Sequence, residues 1–409
     1  MTHTEDWIEW GRPTLRFLDV QDLALVSKFE RCAGASRLDY DTQVDLAHKW
    51  QPYWDDYRPG VVLFLTSKAD FDGRMDRFFY HSYQAATDHP KIKAEMWGPG
   101  YNGFNDDLTL TENVIKQYNY CENVSFIFVH TGNEDSRTGK KMGWDWTGHE
   151  KCLLIEELGD CHGGECVWAS IPTANITTEN YGFQLLHNFY PHNSTNPKMY
   201  AHNPHCANPK EVQPLPWKAK QNVARLFGST SAHLYPLRSR VEAGIADGTI
   251  QAHQYFHPGY GNRSVNAYQD YVQALQHSKI CIFDSSIVKK AIRKFMEAFM
   301  SGCVVASDLP HEMRDLIKDN IIELDEADNA TIIANKISLA MADQQMLRAK
   351  AARSIEVAMS YWTCAHKLDR LLYFASEYSR GFRGYLLPFS VTIGCNAFQA
   401  DGKRAAWCS

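Results

Sequence analysis

The chain reads as an α/β protein of two doubly wound parallel sheets, and three features lead there. Its 409 residues are enough for two domains of ordinary size. From Val61 onward, short apolar runs alternate with helical patterns, as parallel strands covered on both faces require. Further on, the stretch Lys294 to Pro310 reads as a helix, a glycine stop at Gly302 and a strand buried on both sides.

The elements follow in order. Residues 1–60 are acidic and aromatic, and Val44, Leu46, Ala47, Trp50 and Trp54 suit an amphipathic helix ending near Pro59-Gly60. This flank shows no chemistry. Residues 61–67 make the first strand, and a helix over 74–87 turns Phe78, Phe79 and Tyr83 inward. A strand at 92–97 runs into Gly98-Pro99-Gly100-Tyr101-Asn102-Gly103-Phe104. Its glycines permit either a ligand's close approach or a tight turn plugged by an aromatic ring. A helix over 111–118 leads to a strand at 124–130 that closes on His130, and 132–148 reads as a polar surface loop. A fourth strand at 151–156 is followed by Asp160, Cys161, His162 and Cys166. In open parallel sheets ligands bind beyond the carboxyl ends of the strands. That rule singles out the glycine loop, His130 and Asp160, and either of the last two suits proton abstraction from a hydroxyl. Two other readings compete at the cysteine-rich turn. One makes Cys152, Cys161, His162, Cys166, His202, His205 and Cys206 zinc ligands, although no Cys-x2-Cys or His-x3-His pair occurs there. The other makes Asp160 a helix cap and His162 a loop residue.

Residues 183–190 read as a strand or short helix. His202 and His205 sit in a proline-containing segment read as structural, and Pro209, Pro214 and Pro216 mark a stiff linker. The second half opens with a strand ending at Gly228, a hydroxyl-rich loop from Ser229, and a helix begun by Tyr235-Pro236 that carries Arg238. Glycine, hydroxyls and an arginine after a strand suit a diphosphate. A strand and turn at 254–260, a helix at 268–275 and a strand at 277–286, which takes in Ser285 and Ser286, lead to the next helix. These hydroxyls stand ahead of the next helix, where they cap amides or meet an anion. On that helix Val288, Ala291, Ile292, Phe295 and Phe299 recur at helical spacing, and Lys290, Arg293, Lys294 and Glu297 share the opposite side. A basic start with one carboxylate suits a phosphorylated ligand that also bears hydroxyls. The plainer alternative is a solvated face with an Arg293–Glu297 pair. An edge strand at 321–324 and helices over 332–341, 347–361 and 364–378 complete the pattern, and the tail from Gly381 stays unassigned.

Composition narrows the class. A net charge of -6 gives no general attraction to nucleic acid or an anionic membrane. No run approaches the ~18 apolar residues of a membrane span. Met1 to Asp6 is polar and acidic, unlike a secretory leader. The 11 cysteines lie mostly alone in apolar runs, as buried thiols do, which favours a reducing, cytoplasmic setting. The sequons at Asn123, Asn175 and Asn193 leave a lumenal protein, in the Golgi and cut from its anchor, as the alternative.

Phe-Met-Glu-Ala-Phe-Met-Ser-Gly-Cys-Val-Val-Ala-Ser-Asp at 295–308 resembles the donor-site signature of GT-B glycosyltransferases. Trp-Gly-Pro-Gly-Tyr-x-Gly at 97–103 and the Gly228-Ser229 to Tyr235-Pro236-Leu237-Arg238 succession resemble the group-1 branch related to spore-maturation proteins. The resemblance covers about residues 61–373. It implies two facing Rossmann-like domains: an acceptor-side domain at 61–210, a linker at 211–218, a donor domain at 219–362, and a crossing helix and tail at 363–409. It implies transfer of a hexosyl or pentosyl group from a nucleoside diphosphate sugar, such as a UDP-sugar, to an acceptor hydroxyl, with no bound metal or other cofactor. Glu297 would hold the ribose, and Gly228, Ser229, Tyr235, Arg238, Ser285, Ser286 and Lys294 would line the donor site. The retaining branch carries a second glutamate eight positions before the first, and Lys289 stands there in this chain. An epimerase-like enzyme and a catalytically silent nucleotide-sugar binder share the fold and remain alternatives.

Overall fold

The computed structural model describes residues 60–69, 92–130, 138, 140–148, 151–158, 170–181, 198–256, 267–287, 289–310, 312–381 and 383–386. The N-terminal flank, the helix expected over 74–87, Asp160 with its cysteine-rich turn, and residues 183–190 lie outside them. The chain divides into two compact units. The first holds the described residues up to His205 together with those from Cys364 onward, and the second runs from Cys206 to Thr363.

In chain order the described elements of the first unit are β1 (Val61–Leu65), β2 (Lys93–Trp97), α1 (Leu110–Gln117), β3 (Val124–His130), β4 (Leu154–Leu158), β5 (Ile176–Glu179) and β6 (Met199–His202). The second unit follows with β7 (Gln221–Phe227), α2 (Pro236–Ala246), β8 (His253–Tyr255), α3 (Ala267–His277), β9 (Ser278–Ile282), α4 (Arg293–Met300), β10 (Val304–Ser307), α5 (Arg314–Ile317), β11 (Ile322–Glu323), α6 (Ala330–Ala342) and α7 (Gln344–Tyr361). The chain then returns to the first unit as α8 (Cys364–Ser379) and β12 (Gly384–Leu386).

The first sheet runs β12-β6-β5-β4-β3-β1-β2 and the second β11-β10-β9-β7-β8. All their pairings are parallel. In each sheet the order reverses once, between β1 and β3 in the first and between β7 and β9 in the second. These reversals are the topological switch points at which such sheets bind ligands. The doubly wound reading therefore holds for both units.

Local chemistry explains the boundaries near these points. Thr109 caps α1 in a reciprocal box: its hydroxyl accepts from the Glu112 amide at 3.2 Å, and Glu112 accepts from the Thr109 amide at 2.8 Å. Pro236 opens α2 at a position where no amide proton is needed. Gly302 ends α4 with φ +66°, and a side chain there would meet Ile355 of α7 at 2.9 Å.

Three expectations need correction. The helix bearing Glu297 begins at Arg293, with Ile292 at its N-cap, and not near Val288. Lys289 takes φ +52°, outside the right-handed helical region, so the apolar spacing from Val288 belongs partly to a loop. Ser285 and Ser286 consequently do not cap it. Nor is the charged set solvated: Glu297 on α4 and Lys290 in the loop before it are each only 2% exposed. Finally, the described cysteines are not lone thiols. Cys121 is bonded to Cys152 and Cys281 to Cys303, and Cys206 and Cys364 are also in disulfides. This removes Cys152 and Cys206 from the zinc reading, since a disulfide sulfur is no thiolate ligand.

Candidate functional site

The second unit's switch point collects most of the residues singled out from the sequence. β7 ends at Gly228, whose φ is +97°. A Cβ there would collide with Arg238 Nη1 and lie 3.0 Å from Lys294 Cε, so glycine lets two cationic side chains close over the strand end. Arg238 is 2% exposed and firmly held. Its Nε donates to Asp284 Oδ1 at 2.7 Å, its backbone amide to Asp284 Oδ2 at 3.1 Å, and its Nη1 to the Ser229 carbonyl at 3.0 Å. Its guanidinium carbon lies 3.5 Å from the centroid of the Tyr235 ring. Burial pushes the Asp284 carboxyl up, and the Arg238 charge opposes that shift.

The loop after β9 is braced by a second carboxylate. Asp308, just beyond β10, accepts from the Ser285 amide at 2.8 Å and the Ser285 hydroxyl at 2.6 Å. Lys289 reaches both Asp308 and Glu326. Burial works against the Lys289 charge, but the two carboxylates outweigh it and hold the ammonium above its usual range. The Ile287 amide donates to the Leu234 carbonyl at 3.0 Å, which ties this loop to the one after β7. Ser286, at φ +63°, sits at the bend.

The start of α4 enters this cluster with an unusual charge arrangement. Its N-cap, Ile292, offers no side-chain acceptor, and its first turn carries Arg293 and Lys294 instead of acids. Cations at the positive end of a helix are unfavourable unless an anion joins them. Arg293 is answered by Glu297 at 3.1 Å, while Lys294 leans over Gly228. Glu297 itself is committed to the protein. Tyr271 donates to it at 2.8 Å and Tyr268 at 3.4 Å, and burial, then this carboxylate, drives both phenols well above their usual range.

The first unit's switch point is built differently. Thr66, Ser67 and Lys68 follow β1, and His130 closes β3 beside them: Phe64 stands opposite Phe128, and Thr66 and His130 each lie two residues further on. The glycine loop after β2 closes on its own chain. A Cβ at Gly98 would sit 2.5 Å from the Thr66 carbonyl and one at Gly103 would sit 2.6 Å from Gln117 Oε1, while Phe104 packs edge-on against Trp97 at 5.1 Å. The tight-turn reading therefore accounts for these glycines. Across the sheet, the carboxyl ends of β4 to β6 are occupied by α8. Lys367 Nζ meets Glu157 Oε2 at 2.6 Å and Asn180 Oδ1 at 2.8 Å, and Arg370 Nε meets Asn203 Oδ1 at 2.8 Å. His202 is buried against the Asn180 carbonyl at 3.1 Å, and His205 meets the Tyr181 hydroxyl at 2.8 Å, so both are structural.

Asp284 and Asp308 went unnoticed in the sequence. The usable signal was an acid within two residues of the end of each of two adjacent strands.

No family profile matches the chain, and no curated protein sequence is significantly similar to it. Solved structures do resemble it. The Anabaena protein HepE, crystallised with UDP and glucose, is 11% identical over 76% of this chain and 97% of its own, with a TM-score of 0.47. A glycosyltransferase from Rickettsia africae is 15% identical over 79% and 99%, also at 0.47. Sucrose-phosphate synthase from Thermosynechococcus elongatus is 9% identical over 76% and 98%, again at 0.47. At these values the likenesses carry no argument about what this chain does.

Proposed function

We propose that the chain is a glycosyltransferase of the GT-B kind, moving a sugar from a nucleoside diphosphate sugar to an acceptor hydroxyl. The observation that supports this reading best is the second unit's switch point, where Gly228 lies under Arg238 and Lys294 at the uncapped, basic start of α4. A diphosphate would bring its negative charge to this basic helix start. Lys294 and the first-turn amides of α4 would neutralise it as the leaving group departs, while Arg238, fixed by Asp284 and Ser229, holds the loop in shape. A site whose charges are already oriented spends no reorganisation during the reaction. These groups supply the positive charge without a bound metal.

His130 is the proposed base, on its place at the first unit's switch point. Asp160 is the second choice, because it follows β4, whose carboxyl end α8 already engages. Ribose binding by Glu297 would require its carboxylate to exchange partners, since Tyr271, Tyr268 and Arg293 hold it. The acceptor class is a glycan, protein or small-molecule hydroxyl. No described helix is long and apolar enough to cross a membrane.

Purified protein incubated with a panel of UDP- and GDP-sugars tests the reading. Nucleoside diphosphate release stimulated by an acceptor supports transfer. An isomerised sugar would make the chain an epimerase, and binding without turnover would make it a silent receptor.

A further inference from the structure

Every described cysteine is disulfide-bonded: Cys121, Cys152, Cys206, Cys281, Cys303 and Cys364. Two of the bonds have both partners described, one in each unit, with Cα atoms 5.7 and 5.8 Å apart, within the span a disulfide bridges. Cys121 precedes β3 and Cys152 precedes β4, so that bond pins two neighbouring strands at their entry. Cys281 lies in β9 and Cys303 directly precedes β10, so the other bond fixes the pair of strands whose far ends carry Asp284 and Asp308.

All four of these cysteines have 0% exposure. Thiol–disulfide exchange needs a thiolate and an approach for its partner. Once β3, β4, β9 and β10 are packed, no oxidant reaches these sulfurs, so the bonds date from folding. Where glutathione and thioredoxin keep thiols reduced, such pairs do not close.

We infer that this chain folds and works in an oxidising compartment, where a thiol-exchange protein carrying an oxidised disulfide closes its cysteine pairs. In each closure two cysteine thiols give up two protons and two electrons. One S–S bond forms in the chain, and the partner's S–S bond breaks to leave a dithiol. The buried bonds are structural, since no exchange partner reaches them after folding. Joined to the transfer reading above, on which this one step rests, the acceptor hydroxyls belong to molecules of that same compartment.

The test uses cysteine chemistry alone. Protein taken from the cells that make it is quenched in acid, blocked with N-ethylmaleimide and digested without reduction. The expected products are linked peptides joining Cys121 to Cys152 and Cys281 to Cys303, and quantitative maleimide labelling of those four cysteines overturns the inference. A second arm folds the chain under reductant and then exposes it to oxidised glutathione. Failure to fold, or folding with the four thiols left unreactive, agrees with closure during folding. Closure at the rate of an exposed thiol overturns it. Neither arm measures transfer, so an inactive protein with both bonds in place refutes the proposed function and leaves this inference standing.

Discussion

At the residue scale, Glu297 shows how an environment changes the meaning of a side chain. Read from the sequence, it is a charged group on a solvated face, so its removal should weaken donor binding and leave folding intact. In the structure it answers two phenols and a guanidinium in a buried setting. Glu297→Ala is therefore expected to destabilise the second unit by about 3 kcal/mol, because it strands buried partners. Urea unfolding reads this directly, and an unchanged midpoint would return Glu297 to the ligand. Gly228→Ala should act on both stability and binding. It strains a left-handed backbone by about 1–3 kcal/mol and pushes Arg238 and Lys294 aside. Its larger effect should be on nucleotide affinity, at least tenfold by calorimetry. His130→Ala is expected to lower turnover about a hundredfold with near-normal donor affinity, measured as kcat against KM. Equal turnover, with the donor's anomeric configuration kept in the product, would remove the base. Much of this site was legible because strand, glycine and cation are local in the chain. Asp284 and Asp308 were not, because their work is to brace groups 46 and 23 residues away.

Among the elements, the strands that escaped the sequence did so for a common reason. β5 is Ile-Thr-Thr-Glu and fully buried, although only one of its four residues is apolar. Its two threonine hydroxyls are met from inside the sheet. Glu156 accepts from the Thr177 and Ser170 hydroxyls and from the Ile171 amide, and Thr178 donates to the Glu156 carbonyl at 3.0 Å. Alternation and apolar runs do not register a strand whose interior is satisfied this way. β6 is only four residues long, with His202 buried at its end, and β12 is a short edge strand beside it. The apolar strand β3 was read to the residue, because there the burial signal is the side chain itself, whereas β9 was begun within one residue and carried too far, into the loop of Asp284 and Ser285. His202 also carries a pH signature. Burial lowers its pKa from 6.5 to about 3. The unfolded chain binds the proton first, so this contribution is full above pH 6.5 and is lost as pH falls toward 3. Urea midpoints of the wild type and His202→Gln, compared from pH 7 to pH 4, should converge as pH falls. Parallel curves would mean that His202 is not held neutral. At α8, Lys367→Ala should cost the first unit about 3–5 kcal/mol by leaving Glu157 buried without its ammonium, while Glu157→Gln combined with Lys367→Met should recover part of it.

For the whole molecule, the division of labour between the units yields the last prediction. Each sheet reverses its strand order once, so each offers one place for a ligand. In the first unit the ends of β4 to β6 are closed by α8 and the glycine loop folds onto its own backbone. In the second, the uncapped start of α4, Lys294 and the Gly228 loop converge on one point. A nucleoside diphosphate alone, with no acceptor, should therefore engage the second unit only. Ligand bound to the folded state stabilises it by mass action, and slowed amide exchange reports where. Hydrogen exchange with saturating UDP is expected to slow at residues 228–238 and 284–296 and to leave β4, β5 and β6 unchanged. The control is β8 with α3, where an open groove of about 750 Å³ is lined by Arg225, Tyr255, Phe256, Asp270 and His277. Protection confined to that groove would move the nucleotide to the outer edge of the second sheet. Protection around Thr66 and His130 would instead assign the nucleotide to the first unit and reverse the proposed roles of the two switch points.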